Sequence, residues 1–189
     1  RSKDRVEAFI RDCEGHLPTA GGVAPKAFDS YESVINNDDV QVVYIPLPTG
    51  LRLPWVLAAA KAKKHVLCEK PPAASVAELE EMLKACRDNG VQFIDGTVLS
   101  HSPRLAAVKQ ELKSLGAVRR INACFSFCGN DAFAEGNVRV KKELEPFGCL
   151  GDIGWYCLRY IIHLADGELP TSVTARTFRS TTGGVPAEM

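Results

Sequence analysis

The sequence predicts an α/β fold: a doubly wound parallel sheet followed by part of an α+β unit with an antiparallel sheet. Three observations predict it. Short apolar runs end near residues 46, 68 and 95, and one helix-length segment fills each gap, which is the right-handed βαβ repeat. The loops after these runs are rich in Pro, Gly and Thr. Beyond residue 97 the repeat gives way to longer strand-like segments and a polar stretch. The division expected is therefore 1–97 and 98–189.

Each element has a local reason. Arg1 to Cys13 reads as a polar helix with Val6, Phe9 and Ile10 on one face, and Gly15 to Pro25 as a loop. Asp29-Ser30 introduces a short helix bearing Tyr31, Val34 and Ile35. Val40 to Pro46 is a continuous apolar strand of the kind buried on both faces. Leu53 to Lys64 is a helix with Pro54 in its first turn and Lys61, Lys63 and Lys64 at its negative end. His65 to Cys68 is a second buried strand. Ser75 and Glu78 have capping-box spacing, and the helix they open buries Leu79, Met82, Leu83 and Cys86. Asn89-Gly90 ends that helix, and Val91 to Asp95 is a third strand. Then follow a helix over Pro103 to Leu115, a strand over Val118 to Phe127, an irregular stretch over Gly129 to Phe147, a helix over Leu150 to Ala165, and a strand over Ser172 to Phe178.

Composition excludes several function classes. Lys plus Arg and Asp plus Glu both number 23, giving no net charge and no basic excess to displace counterions from nucleic acid. No apolar run approaches the ~18–20 residues that cross a bilayer. The seven Cys (13, 68, 86, 124, 128, 149 and 157) contain no Cys-x-x-Cys pair, so small buried thiols in a reducing compartment, the cytosol or an organelle interior, are expected, and a cytoplasmic location is the one expected of the chain. No His or Cys spacing suits a metal.

Ligands of such sheets bind beyond the carboxyl ends of the strands. The loops there are Pro46-Leu47-Pro48-Thr49, Glu69-Lys70-Pro71-Pro72 and Gly96-Thr97. Lys70 follows a buried strand, and a desolvated lysine suits proton transfer; a plain ion pair is the alternative. Asp152 and Tyr156, four apart, share one helix face, where carboxylate and phenol can hold a hydroxyl; an N-terminal Asp over a core Tyr is the alternative. His101 and Arg104 follow the third strand. Arg139 lies in a charged run, where its guanidinium can hold a polar substrate. His65 and His163 read as structural. A strand–Gly-x-Gly-x-x-Gly–helix opening is absent from the sequence. If the fold binds a dinucleotide, its first ~40 residues therefore precede Arg1.

The stretch Val43-Tyr-Ile-Pro-Leu-Pro-Thr-Gly-Leu51, with Lys64-His-Val-Leu-Cys-Glu-Lys-Pro71, closely resembles the Gfo/Idh/MocA oxidoreductases. Gly151-Asp-Ile-Gly-Trp-Tyr156 matches a second signature of that family. Asp95-Gly-Thr97, His101-Ser-Pro-Arg104, Asn137-Val-Arg139 and Leu169 to Thr174 resemble the dihydrodiol dehydrogenase and NADP-dependent D-xylose dehydrogenase branch, plant-type members included.

The resemblance implies a Rossmann-like domain over 1–97, without its first βαβ segment, and part of a substrate and dimerisation domain over 98–189. It implies hydride transfer between NADP(H), or alternatively NAD(H), and the CH–OH group of a sugar or trans-dihydrodiol. Lys70 would handle the hydroxyl proton, with Asp152 orienting the substrate and Tyr156 standing where many members have His. Pro46, Leu47, Pro48 and Thr49 would line the cofactor. Glu69 and Pro71 would neighbour its nicotinamide ribose, and Arg1 and Ser2 would face the 2′-phosphate. Arg52 stands in the cofactor loop where the family usually has His, and Val98 and Leu99 replace Met and Trp of plant-type members. His101 and Arg139 would contact substrate. The full-length protein would form a homo-oligomer and bind neither nucleic acid nor membrane. The same fold also serves as a non-catalytic, dinucleotide-binding regulator, and an internal fragment of an enzyme would itself be inactive. Intact Lys70, Asp152 and Tyr156 favour the enzyme.

Overall fold

Three strands, β1 (Val42–Ile45), β2 (His65–Cys68) and β3 (Phe93–Asp95), form a parallel sheet in the order β1–β2–β3 in the computed structural model, which describes residues 2–13 and 25–189. Register sets Val43 beside Val66 and Phe93, and Ile45 beside Cys68 and Asp95. Side chains alternate across a strand, so these residues share one face. Helices α3 (Arg52–Lys61) and α4 (Val76–Asp88) cover it, and Val56, Ala59, Ala60, Met82 and Cys86 pack there with Ile45, Val66 and Cys68.

The opposite face carries Val42, Tyr44 and Ile94, which are 57%, 52% and 53% exposed. Burial on both faces, expected from the apolar run Val40 to Pro46, is therefore corrected: the described helices flank one side only. The strand itself is shorter, Val42–Ile45. Ser75 caps α4 by accepting from the Glu78 N–H at 3.2 Å, but the Glu78 carboxylate reaches the Ala74 N–H instead of closing the box on Ser75. The reciprocal box occurs at Ser30 and Ser33, opening α2 (Tyr31–Ile35). Tyr31 packs edge-on against Trp55 at 4.8 Å between ring centroids. Helix α1 (Lys3–Cys13) buries none of its residues. Arg1 and residues 14–24, including most of the expected loop, lie outside the described residues.

Beyond β3 come α5 (Pro103–Leu112), α6 (Asp131–Gly136), α7 (Trp155–Leu164) and an antiparallel hairpin of β4 (Arg179–Ser180) and β5 (Pro186–Glu188). The strands expected over Val118 to Phe127 and Ser172 to Phe178 are not formed. A strand needs a ladder partner for its N–H and C=O groups; no described segment pairs with the first run, and the second meets β5 only through the Phe178 N–H, which donates to the Glu188 carbonyl at 2.8 Å. Phe125, Phe127 and Val173 are exposed in consequence. The thiols are also corrected: Cys68 and Cys86 are buried, Cys124 and Cys128 exposed, and the other three half-buried.

The sheet and the later segments meet at close backbone contacts. A 3-10 turn, Thr49–Leu51, follows β1, and the Gly50 N–H donates to the Leu144 carbonyl at 2.8 Å. A β-carbon at Gly50 would lie 2.3 Å from the Glu143 carbonyl oxygen. Gly50→Ala must push the 143–145 segment away, costing about 1–3 kcal/mol. Thermal unfolding should show that loss, and hydrogen exchange should quicken at residue 50 while Val66 in the sheet stays protected. Unchanged stability and exchange would refute the contact.

Candidate functional site

Lys70 lies in the loop after β2, at the carboxyl edge of the sheet. Its Nζ donates to Asp152 Oδ1 at 2.9 Å and also to the Asp152 backbone carbonyl. Both side chains are largely covered, at 12% and 17% exposure. Asp152 sits in a π-helical turn, Leu150–Gly154, that runs straight into α7. Such wide turns loosen the helical ladder and occur at functional sites; here a carbonyl and a carboxylate of one residue meet one ammonium. Gly151 permits the approach, because a β-carbon there would lie 2.9 Å from Phe147 and 3.3 Å from Pro71.

Two further groups converge. Arg139 Nε lies 2.8 Å from Asp152 Oδ2, so the carboxylate is shared by two cations. The Tyr156 ring faces the Lys70 ammonium at 5.0 Å from its centroid, within cation–π range. A cavity of about 380 Å³ opens here, lined among others by Pro46, Leu47, Pro48, Lys70, Arg139 and Asp152. That volume suits a small-molecule site. A second cleft, between Leu83, Arg87 and Phe93, holds no carboxylate.

The loops beneath are tied internally. The buried Arg52 guanidinium donates to the carbonyls of Leu47 (2.6 Å), Glu69 (2.7 Å), Pro71 and, at 3.4 Å, Lys70. The Glu69 carboxylate accepts from the Tyr44 hydroxyl at 2.7 Å and from the Lys70 N–H at 3.2 Å. Thr49, fully buried, gives its N–H and hydroxyl to the Glu145 carboxylate at 3.1 and 2.6 Å. Trp155 Nε1 donates to the buried Thr97 hydroxyl at 2.8 Å.

Charge follows geometry. Burial works against ionisation of Asp152, but hydrogen bonds from Lys70 and Arg139 outweigh it and hold the carboxyl below the usual range. Burial, then Glu69 and Asp152, push the Tyr156 phenol up, keeping it protonated at neutral pH. Burial lowers the Arg52 guanidinium and pushes the Cys68 thiol up to about 11, too high for a nucleophile at neutral pH.

A lysine–carboxylate pair at the carboxyl edge of a parallel sheet is where comparison with known proteins becomes informative. Residues 4–97 match the Gfo/Idh/MocA oxidoreductase family, NAD-binding Rossmann fold. The chain belongs to that family. Among its relatives is D-xylose 1-dehydrogenase (NADP(+)) 2 of Haloferax volcanii, 36% identical over 135 residues, covering 71% of this chain and 41% of that protein. Another is trans-1,2-dihydrobenzene-1,2-diol dehydrogenase of Xenopus laevis, 34% identical over 161 residues, covering 84% and 47%. The fold also aligns with a 3-ketoreductase from Actinomadura kijaniata, solved with NADP and TDP-benzene. That match has a TM-score of 0.73 and 26% identity, and covers 87% of this chain and 47% of that one. The chain thus spans less than half the length of these relatives.

For this Gfo/Idh/MocA member, the structure brings Lys70, Asp152, Tyr156 and Arg139 together, with Pro46, Leu47, Pro48, Arg52, Glu69 and Pro71 on the cavity wall. Thr49 lies beneath the wall, bound to Glu145. Ser2 and His101 are exposed and do not line the cavity, and Arg1 is outside the described residues. Glu145, which lines the cavity, is the residue sequence reasoning missed; it sits in the irregular stretch 129–147, where no periodicity or motif marks it.

Because the Asp152 carboxyl is held low, its ion pairs stabilise the fold above about pH 4 and lose that contribution as pH falls through the lowered value. Asp152→Asn should cost about 1.5–3 kcal/mol at neutral pH, and the gap to wild type should close in acid. Denaturant unfolding at several pH values checks this; a gap constant down to pH ~2 would refute a charged pair.

Proposed function

We propose that this chain carries the proton-handling centre and part of the cofactor wall of an NADP(H)-dependent oxidoreductase acting on the CH–OH group of a sugar or diol. The observation that carries the proposal is the convergence of Lys70, Asp152 and Arg139 on one cavity at the carboxyl edge of a parallel sheet, with the Tyr156 ring packed against the Lys70 ammonium. The dehydrogenase and ketoreductase names of the relatives, with NADP in two of the three described, support this reading. In it residues 1–97 serve the cofactor and 98–189 the substrate, with a homo-oligomeric parent protein in a reducing, cytoplasmic setting.

The cavity chemistry fits a nicotinamide. Pro46, Leu47, Pro48 and Pro71 offer apolar walls for a flat ring, and Lys70 stands at the rim. When bound, the nicotinamide supplies or accepts the hydride. The chain's own residues do the rest. Paired with Asp152, Lys70 is presented as an ammonium, the form that delivers a proton to a carbonyl oxygen in reduction; in oxidation its neutral amine takes the hydroxyl proton. Asp152 anchors Lys70 and Arg139 at once and so fixes both relative to the substrate oxygen. Tyr156, held protonated, donates to that oxygen or a neighbouring hydroxyl. Arg139 spends only part of its fork on Asp152, leaving other N–H groups for a polar substrate.

Fluorescence titration of the full-length parent protein with NADPH and NADH, followed by its turnover with D-xylose and a trans-dihydrodiol, tests the proposal. NADPH should bind more tightly, Lys70→Met should lower kcat by about 10²–10⁴-fold, and Tyr156→Phe should lower it less. Binding of neither nucleotide, or a Lys70→Met variant with unchanged kcat, would overturn it.

A further inference from the structure

Arg52 is a cation in an unusual position. It is 3% exposed, and it forms none of the ion pairs among the described residues. Its side chain instead spends four N–H contacts on backbone carbonyls. Nε reaches Leu47 in the loop after β1; Nη1 reaches Glu69 and Pro71, and Nη2 reaches Lys70, all in the loop after β2. A guanidinium has five N–H donors in a rigid planar fork, so nearly all its capacity is directed inward. One residue at the start of α3 therefore fastens the carbonyls of three consecutive residues centred on Lys70 to the neighbouring loop.

This arrangement suits a fastening better than ligand capture. A guanidinium awaiting a phosphate presents unfilled N–H groups to solvent or to a cavity; here at most one remains. Backbone carbonyls 69, 70 and 71 bear partial negative charge and converge on one point, so without a buried cation they would repel one another and lack donors. Lys70's Nζ must meet two acceptors of Asp152, its carboxylate and its carbonyl, on a segment 82 residues away. That alignment requires the Lys70 backbone to be held.

We propose that Arg52 is a positioning residue, whose buried fork locks the loop after β1 to the loop after β2 and thereby holds Lys70 at Asp152, and that it is not a cofactor ligand. The consequence for reaction rests on the proton-handling reading of Lys70; the fastening itself does not.

The test is the rate at which an amine-reactive reagent labels each lysine of the chain, read by mass spectrometry. Lys84, 69% exposed against 12% for Lys70 and held only by a surface pair with Asp88, is the exposed reference. Lys64, buried with its Nζ on the Asn37 carbonyl at 2.8 Å, reports loosening of the sheet. In Arg52→Met, Lys70 labelling should rise about fivefold relative to Lys84, with Lys64 still protected, as local opening requires. In Arg52→Lys, whose single ammonium cannot span both loops, the rise should be about twofold. Lys70 remaining protected in either folded variant would overturn the proposal. So would a joint rise of Lys64 and Lys70 in both, because Arg52 would then serve the whole fold. NADPH affinity falling about tenfold with Lys70 still protected would make Arg52 a cofactor ligand instead. Turnover of Lys70→Met is measured separately, so an idle Lys70 and an idle fastening give different results.

Discussion

The ion pair between Lys70 and Asp152 is the contact on which the rest of the structure turns. It joins the carboxyl edge of a three-stranded sheet to the first turn of a helix far along the chain. Both side chains are mostly removed from water, where separating opposite charges is costly. Around it the backbone has made room: Gly151 lets Pro71 approach, and a π-helical turn presents the Asp152 carbonyl alongside its carboxylate. Arg139 then adds a second cation to the same acid. One carboxylate thus fixes two basic groups that start from different loops.

The tier beneath pairs charged side chains with neutral groups of the loops. Arg52 gathers carbonyls from two loops, and Glu145 takes both donors of Thr49. These contacts serve the loops' own polar groups, which cannot stay unpartnered once water is excluded. The floor of the cavity is therefore rigid because it is satisfied from within, and the groups at its rim retain capacity for something from outside.

The parallel half of the fold was legible in the sequence because each of its elements repeats a local pattern. Val42–Ile45, His65–Cys68 and Phe93–Asp95 stand where the apolar runs place them, and α4 follows the spacing of Leu79, Met82 and Cys86. Strand partners are a different matter. Val118 to Phe127 alternates as a strand does, but alternation reports an amphipathic surface and not a neighbour, and no described segment pairs with it. Burial of one sheet face fails for the same reason: Tyr44 and Ile94 are apolar whether or not a helix covers them. Within the site, Lys70, Asp152 and Tyr156 were legible from motifs at loop ends. Glu145 and the reach of Arg52 were not, because both depend on long-range geometry that spacing does not encode.

Trp155 gives the junction an optical character. Its indole N–H is engaged by the buried hydroxyl of Thr97, across the same seam that Lys70 and Asp152 close. The chain's other tryptophan, Trp55 of α3, is packed edge-on with Tyr31 and against the core of the sheet. The two indoles therefore sit in different chemical surroundings and answer to different events. A change in Trp155 emission reads the seam directly, so the protein contains its own dye for following how the two parts separate or draw together.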